Sequence, residues 1–160
     1  MFDTVLIAGL GLMGGSMAKT IKARTLSRVL GWNRTRATAE QALADGSIDA
    51  IATEALYKEA DLVIIGLYPQ ATVNWLLENM PKMKKGCVIV DMVGVKQFMV
   101  DHLEQAALDA GVHYVGGHPM AGREFSGLDF ALPTLFDGAS MIFVPTKSSN
   151  ERVLEQLEAY

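Results

Sequence analysis

Six residues near the N-terminus, Gly9-Leu10-Gly11-Leu12-Met13-Gly14, restrict the possible folds of this chain more than any other stretch. They follow a continuous apolar run, Thr4-Val5-Leu6-Ile7-Ala8, and open a segment of helix formers at 12–26 that closes on Lys22 and Arg24. Such a run suits a strand buried on both faces, and cations suit a helix C-terminus. Placed between strand and helix, the spacing G-x-G-x-x-G has a physical purpose. The first glycine turns the chain, the second lets a pyrophosphate approach the backbone, and the third lets helix and strand pack closely. Amides at the helix N-terminus then hold the phosphate charge. Gly9, Leu10, Gly11, Leu12, Met13 and Gly14 are therefore candidate contacts to a dinucleotide; the plainer alternative is a glycine turn without a ligand.

The rest of the chain continues the alternation. Strands are predicted at 28–32, 50–53, 61–67, 87–91, 112–115 and 140–144, and helices at about 36–45, 69–79, 97–109 and 149–160. This order predicts an α/β, Rossmann-like, doubly wound and mainly parallel sheet with right-handed crossovers. No repeat or linker interrupts it, so residues 1–160 read as one domain. Residues 117–139 form the longest stretch without clear periodicity, and such segments in compact domains are often functional.

Composition removes several classes. Half the residues are hydrophobic and 20% are charged, as in soluble globular proteins. A net charge of −4 offers no basic face for nucleic acid. No apolar run approaches the ~18 residues that span a bilayer. The single cysteine, Cys87, rules out an internal disulfide and reads as a buried thiol. Together with an N-terminus that begins almost directly on a strand, this predicts a cytoplasmic setting. No metal site is predicted.

Cofactor choice should be written at the end of the second strand, where an acidic residue would bind a ribose 2′-hydroxyl. Here the residues are Asn33-Arg34-Thr35-Arg36. No carboxylate repels a 2′-phosphate, and Arg34 or Arg36 can pair with one, so NADP is favoured over NAD; the alternative is that both arginines are simply solvated. Ligands in such sheets border the carboxyl ends of strands. That adds Leu67, Tyr68 and Pro69 after the fourth strand and Met92, Val93 and Gly94 after the fifth. Tyr68 either packs beside the cofactor or is a partly buried tyrosine capping a helix.

A second motif carries the acid/base chemistry. In Gly116-Gly117-His118-Pro119-Met120-Ala121-Gly122, glycines permit close approach to a ligand and proline fixes the chain direction after the imidazole. Histidine is the side chain best suited to exchange a proton near neutral pH. A strand-end histidine bonded to backbone is the alternative. His102 and His113 lack such surroundings and read as surface or helix-edge residues.

This segment, with Glu124 and Ser126-Gly127 behind it, resembles the substrate-site signature of prephenate and arogenate dehydrogenases. The other matches keep the family's order: Gly9 to Gly14 with Gly15-Ser16, Asp61 to Leu67 with Pro69, Asp91 with Val95-Lys96, and Leu135-Phe136-Asp137-Gly138 before Pro145-Thr146. The histidine motif is fairly specific, whereas the glycine fingerprint is shared with many dehydrogenases. The resemblance implies oxidative decarboxylation in tyrosine biosynthesis, with hydride transfer to NADP or NAD. By that analogy His118 takes a hydrogen bond or proton from the substrate hydroxyl and must be neutral to do so. Pro119, Met120, Arg123, Glu124 and Ser126 are the further candidate substrate contacts; Arg123 would meet a carboxylate, and Lys96 would steady its loop. The implied partners are prephenate or arogenate and, as a further possibility, a second copy of the chain.

Two departures stand out. Many members of that family carry a serine just before Val-Lys, and this chain has Gly94. The family also continues into a helical dimerisation domain, whereas this sequence stops within a helical pattern at 151–160. The reading is therefore of a nucleotide-binding domain without that helical domain, able to bind cofactor but turning over weakly or not at all. The alternatives are another β-hydroxyacid-type dehydrogenase and a non-catalytic dinucleotide-binding module.

Overall fold

A computed structural model describes residues 1–160. Seven strands form one sheet in the order β3-β2-β1-β4-β5-β6-β7. They are β1 (Thr4–Ala8), β2 (Arg28–Trp32), β3 (Ala50–Ile51), β4 (Leu62–Ile65), β5 (Val88–Asp91), β6 (His113–Pro119) and β7 (Met141–Pro145). The first six run parallel, and β7 lies antiparallel to β6. Strand order reverses between β1 and β4, and the crevice at their carboxyl ends is the expected ligand position of a doubly wound sheet.

The helices are α1 (Leu12–Arg24), α2 (Arg36–Ala44), α3 (Glu54–Tyr57), α4 (Pro69–Asn79), α5 (Lys96–Ala110) and α6 (Glu151–Glu158). They cover both faces of the sheet, which is why the central strands are unbroken apolar runs. Pleating sends Val5 and Ile7 to one core with Ile21 of α1, Ala42 of α2 and Leu157 of α6. It sends Leu6 and Ala8 to the other with Leu76 of α4 and Leu103 of α5. Pro69 starts α4 without losing a hydrogen bond, because a first-turn amide has no intrahelical partner. Gly111 ends α5 in the left-handed conformation, φ 68°.

Three features differ from the sequence expectation. The one-turn helix α3 was not anticipated. Strand β6 extends through Gly116, Gly117, His118 and Pro119 instead of stopping at Val115. The cause is β7, which pairs with these four residues from the edge of the sheet. His113 is no helix-edge residue: it opens β6, and its Nδ1 lies 2.6 Å from the carbonyl oxygen of Ser148. At the C-terminal end, Asn150 caps α6 by accepting from the Val153 amide at 3.1 Å. Tyr160 then folds back, donating its hydroxyl to Ser27 at 2.7 Å and meeting Phe2 edge-on.

Candidate functional site

At the end of β1 the chain turns at Gly9, whose φ of 94° excludes a side chain with a Cβ at low strain. A Cβ there would also come within 2.7 Å of the Gly66 carbonyl oxygen beyond β4. One added to Gly14 would overlap the carbonyl oxygen of Gly9, and one on Gly66 would stand 3.1 Å from Gly14. These three glycines interlock backbone to backbone. Gly11 differs, since nothing lies within 4 Å of its Cβ position. It caps α1 without a side-chain bond, leaving the amides of the first turn, from Leu12 and Met13 onward, without intrahelical partners. An interlocked turn below and open amides above fit a pyrophosphate.

Asn33 holds this turn from the end of β2. Its Oδ1 accepts from the Leu10 amide at 2.9 Å, and its Nδ2 donates to the Thr35 carbonyl at 3.0 Å. Asn33 is thus a brace of the loop, a task its sequence position did not reveal. The two neighbouring arginines separate: Arg36 pairs with Glu40 at 2.8 Å along α2, while Arg34 is exposed. Leu67 packs against the Gly9 turn, and its carbonyl accepts from Thr72 at 3.2 Å. Tyr68 supplies the backbone N-cap of α4, but its side chain is 85% exposed, so it is no partly buried cap.

Beyond β5 the chain is fixed by a buried polar cluster. Asp91 is fully buried. Its Oδ1 accepts from the Val93 amide at 2.8 Å and from Lys96 Nζ, and its Oδ2 accepts from the Tyr114 hydroxyl at 2.6 Å. Burial lowers the Lys96 pKa, partly offset by Asp91; burial and the same carboxylate push Tyr114 up. Lys96 runs over Gly116, where a Cβ would meet its Cδ at 2.9 Å. The cluster joins β5, the 92–95 loop, α5 and β6. Tyr114 was missed in the sequence, and its only signal there is one tyrosine in an apolar strand.

His118 stands on β6 beside that loop. The Cβ position of Gly94 is 3.5 Å from the imidazole Cε1 and 3.8 Å from Nδ1. Nδ1 is buried and has no hydrogen-bond partner. Met92 and Val93 complete the loop, with Val93 buried. Pro119 turns to the opposite face of the sheet, where with Met141 and Phe143 it lines an apolar cavity of about 580 Å³ between α1 and α6. His118 does not line this cavity, which is therefore not the site of the acid/base chemistry.

The segment after β6 is held chiefly by α1. The Leu132 amide donates to Ser16 Oγ at 3.0 Å, Lys19 to the Ala131 carbonyl at 3.3 Å and Thr20 to the Pro133 carbonyl at 3.0 Å. The connection brings the histidine strand's outgoing loop onto the fingerprint helix. Met120, Arg123, Glu124 and Ser126 lie on it, all exposed. The Arg123 guanidinium sits 5.0 Å over the Phe125 ring and donates to the Phe130 carbonyl at 3.4 Å. No group of three or more His, Cys, Asp or Glu side chains is placed to hold a metal ion.

Comparison with known proteins agrees with this geometry. The family described as prephenate dehydrogenase, nucleotide-binding domain, matches residues 17–160. Prephenate dehydrogenase of Bacillus subtilis (strain 168) is 37% identical over 162 residues, covering 99% of this chain and 43% of the relative. The crystal structure of A. aeolicus prephenate dehydrogenase with hydroxyphenyl propionate and NAD+ superposes with a TM-score of 0.89 at 26% identity, over 99% of this chain and 56% of that one. Synechocystis arogenate dehydrogenase gives 0.87 at 25% identity, over 98% and 55%. The chain spans about half the length of these relatives.

Proposed function

The chain belongs to the family of prephenate dehydrogenase nucleotide-binding domains, and from that premise we propose that residues 1–160 are the dinucleotide-binding part of an enzyme that oxidatively decarboxylates prephenate or arogenate. The observation that carries this reading is the placement of His118. Its imidazole lies beside the β5–α5 loop at the carboxyl end of the sheet, the end that also carries the glycine turn of β1.

The nicotinamide, when bound, supplies the hydride acceptor. The residues of this chain do the rest. Gly9 and Gly14 lock the turn, Gly11 leaves room for the pyrophosphate, and the first amides of α1, from Leu12 and Met13, hold its charge. Leu10 is set by Asn33, and Leu67 and Val93 wall the crevice. His118, neutral, takes the proton of the substrate hydroxyl as that carbon loses hydride, and the carboxylate leaves as carbon dioxide to make the ring aromatic. The proton then returns to the phenolic oxygen. Arg123 meets a substrate carboxylate, and Met120, Glu124 and Ser126 line the mouth. The helical domain implied by the family would close the remaining side.

We assign NADP as the preferred cofactor. Support comes from the absence of a carboxylate at 33–36 and from Arg34, which stays exposed while Arg36 is engaged by Glu40. Two copies are the proposed assembly, supported by the exposed Met120, Phe125, Phe130 and Ile142. No helix is long and apolar enough to cross a membrane. A cytoplasmic setting is proposed from the lone Cys87 thiol, which burial pushes up to about 12.

The test is oxidation of prephenate and of arogenate with NADP+ or NAD+, alongside His118→Asn. Reduced nicotinamide should form slowly with one of these substrates, as expected of this domain by itself, and its rate should fall about a hundredfold or more in the variant, with cofactor binding retained. Equal rates in the variant, or turnover of a β-hydroxyacid instead, would overturn the assignment.

A further inference from the structure

We propose that the acceptor for His118 Nδ1 is supplied by the bound ligand and not by the protein: an oxygen atom of cofactor or substrate seated over Gly94. This rests on the reading of His118 as the proton acceptor. A neutral imidazole has one donor and one acceptor nitrogen. If Nε2 accepts the proton of the substrate hydroxyl, Nδ1 carries hydrogen and needs an oxygen partner. Such a partner normally fixes the ring's tautomer and orientation.

The protein offers none. Nδ1 is buried and unbonded. The carboxylate anchoring the neighbouring loop, Asp91, already accepts from Val93, Lys96 and Tyr114. The residue that faces the ring is Gly94, whose Cβ position is 3.8 Å from Nδ1. A hydroxyl one bond beyond that position would reach hydrogen-bond distance, but glycine has none. Gly94 sets no side chain in the position facing Nδ1, and because Nδ1 is covered in the free chain, an oxygen arriving with the ligand reaches it as that cover shifts. The carboxyl end of β5 borders the crevice, so either a ribose hydroxyl of the dinucleotide or an oxygen of the substrate can take the position. Binding then completes the orientation of the base, and a free imidazole is left unaligned until the ligand is in place.

The experiment is nitrogen and proton NMR of the imidazole in the full chain labelled at histidine. Spectra are taken alone, with NADP+, with hydroxyphenyl propionate, and with both. A hydrogen-bonded Nδ1–H signal of His118 should appear only on ligand addition, and the arm in which it appears names the source. Gly94→Ala and Gly94→Ser provide the second readout. Gly94 lacks a positive φ, and its Cβ position meets nothing closer than 3.5 Å, so both variants should fold. Serine should produce the bonded signal without ligand. Alanine fills the space without an acceptor and should weaken the ligand that gives the signal about tenfold. A bonded Nδ1–H in the free wild type, or ligand binding seen by fluorescence with Nδ1 unchanged, overturns the inference while leaving the proposed function standing. Absence of binding by every ligand overturns both.

Discussion

The glycine turn after β1 and the histidine of β6 share the carboxyl end of the sheet, with β4 and β5 between them, yet they are built on opposite terms. Around Gly9, Gly14 and Gly66 the backbone is packed so closely that a single methyl group has nowhere to go. Around His118 the support lies in the buried Asp91 cluster, while Gly94 sets no side chain against the imidazole and Nδ1 is left without a partner. The first region is finished before anything binds, because its recognition elements are main-chain amides fixed by close contact. The second holds a base in approximate position and leaves its last hydrogen bond to be made. A pyrophosphate is the same in every dinucleotide and can be met by a rigid cradle. A proton-transfer geometry has to be completed around a particular substrate.

The largest effect should come from Gly14→Ala. Its Cβ would overlap the Gly9 carbonyl, so unfolding free energy should fall by about 4 kcal/mol or more, read by denaturant titration. Survival of Gly14→Ala at wild-type stability would break the claim of an interlocked turn. Next comes Asp91→Ala, which leaves the partly buried Lys96 ammonium without its partner. The expected loss is about 3 kcal/mol, and adding Lys96→Met should recover part of it in a double-mutant cycle. Simple additivity of the two would show that the cluster is no unit.

Acid should act elsewhere, at the opposite ends of the strands. Burial raises the Asp61 pKa, but Lys84 and the amides of Thr4 and Asp3 outweigh it, so the folded value lies below the ordinary one. Its contribution is therefore complete above the ordinary carboxylate range and is lost as pH falls through the lowered value. Because the pair is partly exposed, the loss should be about 1 kcal/mol. Asp61→Asn should flatten that part of the pH–stability curve; an unchanged curve would contradict the assignment. The smallest effect belongs to Gly122→Ala. Nothing lies within 4 Å of that Cβ position, and stability should stay within about 0.5 kcal/mol. A large loss there would erase the contrast with Gly14.

What could be read from sequence follows the reach of the interactions. The buried β1 run, the glycine fingerprint and Pro69 at the start of α4 are local signals, and the structure places them as expected. Strand β6 was cut short because Gly-Gly-His-Pro reads as a strand breaker; its extension depends on β7, an edge partner more than twenty residues away. Asp91 and Lys96 were visible as motif residues, but the bond from Tyr114, 23 positions on, was not. The anchoring of the 120–139 loop had no sequence signal at all, since its Leu132–Ser16 bond spans 116 residues. Histidine 118 was legible as a proton-exchanging residue. Its unpartnered nitrogen appears only when Gly94 is set against it in space.

The most direct test of the central contrast is fluorescence titration of three proteins with NADPH and NADH: wild type, His118→Asn and Gly14→Ala. Saturable binding by wild type and His118→Asn, tighter for NADPH, with none by Gly14→Ala, is the predicted result. Loss of cofactor binding in His118→Asn, or retention in Gly14→Ala, would contradict the division between a finished dinucleotide turn and a histidine face completed by its ligand.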